Sequence, residues 1–358
     1  MIRLVLSAAL LAVIADGQAL TTQYSSQKAY RVEVASSFSM ETVDFSMERD
    51  GEPFEGGRGG GMSTEETRRV VMLDTVIEAK DGAPTQVRRS FEEISATSFR
   101  IFGENERENE RECPLNGVVL DLTLDDGEVV AEVVDGETPE NEELLQGHQL
   151  ALALDALLPE GEVEVDEAWE LDEDAIVRTF GFDVEKALFP TPQAEPRGEG
   201  RGEGRGRRGG GMRFGGGGAA RYFENGDWEA EATLEADTEE YEGVECHVIV
   251  IEAEASGELP ERERGGRGGG RGGEERVSGF EVASPLFENS FELELEGKLY
   301  FSVEGGHPLH LEVEGQLTTE SVREMERRES FMVISTSQEG TFNYTVDVTP
   351  VLSDEGEE

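Results

Sequence analysis

From Phe291 the chain reads Phe-Glu-Leu-Glu-Leu-Glu, and after Leu309 it reads His-Leu-Glu-Val-Glu, so that apolar and acidic residues take turns. Only an extended strand sorts a period of two into one face for a core and one for water. The same reading applies to most of the chain. Residues 70–79 and 85–94 flank Asp81-Gly82, and 118–124 and 129–134 flank Asp126-Gly127, both favoured tight-turn dipeptides. Residues 228–236 and 244–255 meet at Glu242-Gly243, 291–303 and 309–319 at Gly305-Gly306, and 331–337 and 341–348 at Glu339-Gly340. Residues 30–47 form a further strand rich in Val, Phe, Ser and Thr. Sequential hairpins give antiparallel meanders, so the expected fold is mainly β: an open sheet, a half-barrel or a sandwich, with many strands half-exposed.

Two helices are expected in the N-terminal half. Thr138-Pro139-Glu140 offers a cap, a first-turn proline and an acid near the positive end of the dipole. Leu144, Leu145, Leu152, Leu154, Leu157 and Leu158 then supply a wide apolar arc before Pro159 and Gly161. After a short strand at 163–171, Asp172 begins a second helix with Ile176, Val177, Phe180 and Val184. Glycine-arginine tracts at 56–61, 197–218 and 261–275 have almost nothing to bury. The expected organisation is therefore a signal peptide at 1–19, a β-rich domain with two helices at 20–190 and a linker at 191–219. An antiparallel domain at 220–350, with its own Gly/Arg loop, and an acidic tail at 351–358 follow.

The signal peptide is read from Arg3, an apolar run from Leu4 to Ile14 and small residues at Gly17 and Ala19. That run is too short to span a bilayer, and export to the periplasm, envelope or medium is expected. With 80 acidic and 31 basic residues the net charge is −49, and lysine stands only at 28, 80, 186 and 298. Such a field disfavours nucleic acid and anionic membrane surfaces and permits cations, basic partners and neutral ligands. Weak divalent-cation binding by the carboxylates fits this balance, although no Asp-x-Asp-x-Asp-Gly loop occurs. Cys113 and Cys246 allow one disulfide across the folded region, or two unrelated small residues.

No motif commits the chain to a reaction. No Gly-x-Ser-x-Gly elbow or phosphate loop is present. His307 and His310 flank a turn, His148 lies on the expected first helix and His247 on a strand, so the four are too scattered for a zinc set and read as solvent-exposed histidines. Residues 197–213 hold six arginines and two glutamates, a basic island on an acidic chain with little aromatic stacking surface. They read as a flexible insertion rather than a nucleic-acid site. Trp169, Trp228, Tyr300, Phe331 and Tyr344 read first as sheet core.

The stretch from Leu158-Pro159-Glu160-Gly161 to Glu167-Ala168-Trp169-Glu170-Leu171 resembles exported, uncharacterised β-rich proteins of environmental bacteria. The strand-and-helix layout is similar to bacterial half-barrels that hold lipids under helices. The first resemblance implies no activity; the second implies an apolar cavity. The function expected is thus an exported, non-enzymatic binding protein that requires no cofactor. Its apolar ligand would touch Leu145, Leu152, Leu154 and Trp169, or its partner would be an envelope component. The competing class is a structural or adhesive module acting through acidic faces and basic loops, with an enzyme a distant third.

Overall fold

The computed structural model describes residues 18–54, 61–103, 105–180, 188, 219–260, 287–327 and 330–351. The expected signal peptide except Gln18 and Ala19, most of the 191–219 linker, the 261–275 loop and the tail beyond Val351 lie outside these residues. The fold is mainly β and antiparallel, built on one 13-stranded sheet. Its main order is β10 (Ala168–Glu170), β11 (Asp227–Tyr241), β12 (Val244–Glu258), β13 (Phe287–Ser302), β14 (Pro308–Arg327), β15 (Ser330–Val351), β2 (Ala29–Arg49), β4 (Met62–Lys80), β5 (Ala83–Phe102), β7 (Val119–Asp125) and β8 (Glu128–Asp135). Two short strands attach to this path, β3 (Glu52–Pro53) on β2 and β6 (Asn105–Glu112) on β5. A separate two-stranded sheet joins β1 (Gln18–Ala19) to β9 (Glu162–Val163).

The two halves of the chain share this sheet. The seam is β15 against β2, in register from Val351↔Ala29 to Met332↔Arg49 around one bulge at Val43. Three of the expected turns form as read, because Asp81-Gly82, Asp126-Gly127 and Glu242-Gly243 each place two consecutive residues at positive φ, the geometry that tight hairpins need. Glu339-Gly340 does not turn. Residues 330–351 form a single strand, and a Cβ at Gly340 would lie 2.5 Å from the Ser39 carbonyl oxygen. That glycine permits close strand approach, not chain reversal.

Helix Glu173–Phe180 forms where Asp172 predicts it, burying Ile176 and Phe180. The stretch 138–158 is not one helix. It makes two single 3-10 turns, Glu142–Leu145 and Ala153–Leu157, with Asn141 capping the first through Glu143 N–H. Gly147 at φ 73° interrupts the helical geometry between them. The leucines are thereby pressed individually onto the sheet, and Leu144, Leu154 and Leu157 are buried. Another short helix, Ala220–Phe223, leads into β11 and buries Tyr222 and Phe223.

These elements cover one face of the sheet, where Val32, Met72, Phe91, Leu293, Val313 and Phe342 form a continuous core with Phe180, Tyr222 and Phe223. The opposite face carries the glutamates. The turns at 81–82, 126–127, 242–243 and 303–307 share one end of the sheet, since Ala29 at the start of β2 faces both Thr75 near the end of β4 and Val351 at the end of β15. Residues 20–28 cross that end, with Gln23 N–H donating to Gly306 and Tyr24 N–H to Gly82. The described residues flanking tracts 55–60 and 261–286 lie at the other end.

Candidate functional site

The four expected ligand contacts do not form one site. Leu152 and Leu154 line a cavity with Tyr24, Tyr30, Asp74 and Val348, but its volume is about 30 Å³. That is room for a water molecule, not an acyl chain. Leu145 packs against the core elsewhere, and Trp169 lies half-buried on β10, its Nε1–H donating to the Leu157 carbonyl at 3.2 Å. The segment 138–158 therefore closes onto the sheet rather than roofing a lipid-sized space.

Beneath that segment lies a buried ion pair that the strand alternation had not revealed. Arg89 (0% exposed) donates through Nε and Nη2 to both carboxylate oxygens of Asp74 at 2.7 Å. His148 (4% exposed) sits above, its Nε2 2.9 Å from the Leu144 carbonyl oxygen, which fixes the proton on Nε2. Burial, reinforced by the Arg89 charge, lowers the His148 pKa to about 4. Arg89 Nη1 and His148 Nδ1 have no hydrogen-bond partner among the described residues. Cys113 and Cys246 are both buried free thiols, not a disulfide. Cys113 belongs to the core beside β6, whereas Cys246 of β12 faces Ser302 of β13. Burial raises the pKa of each.

Histidines expected at the surface are largely covered. His307 packs edge-on against Tyr30 with Nδ1 2.9 Å from the Gly305 carbonyl. His310 lies on the acidic face of β14, its Nδ1 2.7 Å from Asp347 Oδ1. Tyr241 stacks on that ring at 4.5 Å and donates to the same Oδ1 at 2.6 Å. The His310 contact holds Asp347 below the usual carboxylate range, while burial and Asp347 push the Tyr241 hydroxyl up. A His–Asp pair is one part of a catalytic relay, yet the side chain it orients here is a tyrosine donating to the same acid, with no activated nucleophile in the arrangement. Among the described residues no group of three or more His, Cys, Asp or Glu side chains converges as a metal site.

The acidic face is more ordered than a scatter of charge. Glu170, Glu231, Glu252, Glu296 and Glu314 stand opposite one another in a row across five strands, with Glu229, Glu254 and Glu294 in the next row. All of these but Glu314, together with Trp169, Trp228 and neighbouring residues of β10 to β13, line a groove of about 770 Å³. Like charges directly opposite cost stability, so this face carries a standing repulsion.

The covered face changes character toward the end that bears the tracts. Tyr222 lies over Phe38 and Phe291, its hydroxyl 3.8 Å from Met40 Sδ, and forms the last layer of the packed core. Beyond it the strands continue with nothing described above them. Alternation carries the core face onward to Phe45, Met47, Met325, Met332 and Ile334, paired in rows Arg323–Ile334–Met47 and Met325–Met332–Arg49. Phe45 is 38% exposed and its neighbours are half-buried. On β4 to β6 the same face carries Met62, Phe102, Glu66, Arg68, Arg100, Arg107 and Arg111. Of the aromatic residues read as core, Trp228 and Tyr344 pack there, Tyr300 stands on the acidic face and Phe331 is exposed at this open end. Counting from the hydrophobic pattern alone had ended strand 85–94 too early to place Arg100 on it.

No protein-family model and no curated protein matches the chain. Among solved structures, one titled for lipid–protein interactions in lipovitellin aligns at 7% identity and TM-score 0.32, over 94% of this chain. The chain spans only 27% of the length of that one. The outer membrane protein OprG of Pseudomonas aeruginosa aligns at 7% identity and TM-score 0.15, covering 89% of this chain and 97% of its own. OccK7 of the same organism aligns at 8% identity and TM-score 0.21, covering 91% and 100%. At scores this low none of them establishes a shared fold, and no family is assigned on them.

Proposed function

We propose that the chain is an exported, non-enzymatic binding protein of the cell envelope that holds an apolar ligand on the uncovered end of its inner sheet face. The observation that carries this reading is the continuation of the core face past Tyr222 into Phe45, Met47, Met332 and Ile334 with no described element over them. A contiguous exposed apolar surface on a water-exposed protein marks an interaction site. The small cavity under 138–158 argues against the ligand lying there, so the site moves from Leu145, Leu152, Leu154 and Trp169 to the opposite end of the same face. No helix of the described residues is long and apolar enough to cross a membrane. Export rests on the leader-like residues 1–19 and the acidic composition.

The reading is tested by binding a single-chain alcohol, 1-decanol, to wild type and to Ile334→Glu. A charge in the middle of the surface is expected to lower affinity at least tenfold while leaving the circular dichroism spectrum unchanged. Equal affinity in the two proteins would place the ligand elsewhere.

A second reading has its own observation. The facing rows of glutamates and the 770 Å³ groove favour a surface module that attracts basic or cationic partners. It requires capture of a basic polymer such as polylysine that weakens steeply between about 0.05 and 0.5 M salt. Salt-independent capture would dismiss it.

A further inference from the structure

Strand β6 reads Asn-Glu-Arg-Glu-Asn-Glu-Arg-Glu, and its register on β5 decides what that repeat does. Glu106, Glu108, Glu110 and Glu112 pair with Ile101, Phe99, Thr97 and Ser95 on the outer face. Arg107 and Arg111 pair with Arg100 and Ala96 on the inner face, beside the apolar surface. On a chain of net charge −49, the period of two has therefore separated the charges and sent only the positive ones inward.

The inner arginines are not equivalent. Arg68 and Arg111 converge on Glu66, at 2.9 and 3.2 Å, and that carboxylate serves both. Arg100 and Arg107 instead stand directly opposite each other across β5 and β6 and make no ion pair among the described residues. Two guanidinium groups in facing positions cost stability unless an anion joins them. Their planar donor forks suit a carboxylate or phosphate held between them. From Arg100 the next strands on the same face are β4, through Thr64 and Met62, and then β2, where Thr64 faces Met40 and Phe45 follows further along the strand toward the open end. At about 5 Å per strand and about 3.3 Å per residue, Phe45 stands roughly 16 Å from the pair, with Met62 and Phe102 between.

Resting on the reading of that surface as a ligand site, we infer that its ligand is an anionic single-chain amphiphile. Its head is held between Arg100 and Arg107, and its tail runs past Met62 and Phe102 toward Phe45 at the near edge of that surface. The pair supplies local positive potential at the mouth of an apolar face on an otherwise repelling protein, so an anion is selected by short-range contact and not by the overall field.

The test compares decanoate, 1-decanol and acetate at pH 8 and 0.15 M salt, on wild type and on Arg100→Gln/Arg107→Gln. Wild type is expected to bind decanoate at least tenfold more tightly than decanol, and acetate far more weakly than either. The double variant is expected to lose that preference with its affinity for decanol unchanged. Equal affinities in wild type, or a preference that survives in the variant, would overturn the anionic head while leaving the apolar site standing. Binding of neither long-chain probe would overturn both. Acetate binding as tightly as decanoate would reduce the pair to a plain anion site with no tail.

Discussion

Arg89 and His148 show how far single side chains depart from what alternation implies. Position 89 faces the core, where an arginine is expensive unless it is paired, and the two-pronged contact with Asp74 meets that requirement. His148 completes the layer above it as a neutral ring. Its folded pKa of about 4 lies below the unfolded value of 6.5, so between those values the unfolded chain binds the proton more readily. The stability this group contributes, about 3 kcal/mol for a shift of this size, is full above pH 6.5 and is lost as pH falls toward 4. His148→Leu is expected to flatten the pH dependence of the urea midpoint across that window relative to wild type. An unchanged slope would mean that the imidazole is not buried as described. Nothing in the sequence around His148 announces this, because its partner charge lies on strand β5, more than fifty positions earlier in the chain.

Elements were legible where local chemistry decides them. Asp81-Gly82, Asp126-Gly127 and Glu242-Gly243 turn because aspartate or glutamate followed by glycine accepts two successive left-handed conformations. The helix after Asp172 forms for an equally local reason. Two elements were misread because long-range contacts decide them. Leucines at 144–158 satisfy helical spacing, but each finds its own place on the sheet once Gly147 breaks the rise. Glu339-Gly340 looks like the last hairpin turn, yet the strand runs through it because β2 supplies a partner for its whole length. Gly340→Ala tests that account. The added methyl group meets the Ser39 carbonyl oxygen, and a loss of about 1–3 kcal/mol in unfolding free energy is expected from chemical denaturation. A turn glycine at a flexible tip would tolerate the change with a far smaller loss.

At the scale of the molecule, the antiparallel β class and the division into apolar and carboxylate faces follow from residues such as Leu293, Glu294 and Leu295. The union of both halves in one sheet does not, because strand order depends on pairing between β15 and β2, about three hundred residues apart. The same limit applied to the candidate site. Leu152 and Leu154 were recognisable as apolar, but whether they roof a cavity or fill one depends on how closely 138–158 approaches the sheet. Arg100, Arg107 and Phe45 share one face only through the strand order, and no spacing in the sequence joins them. Native mass spectrometry of the protein purified gently from its own host shows whether the inner face beyond Tyr222 is a ligand surface. An added mass matching an anionic amphiphile, released on denaturation and absent from Ile334→Glu, is the expected result; a wild-type mass accounted for by the polypeptide alone would contradict it.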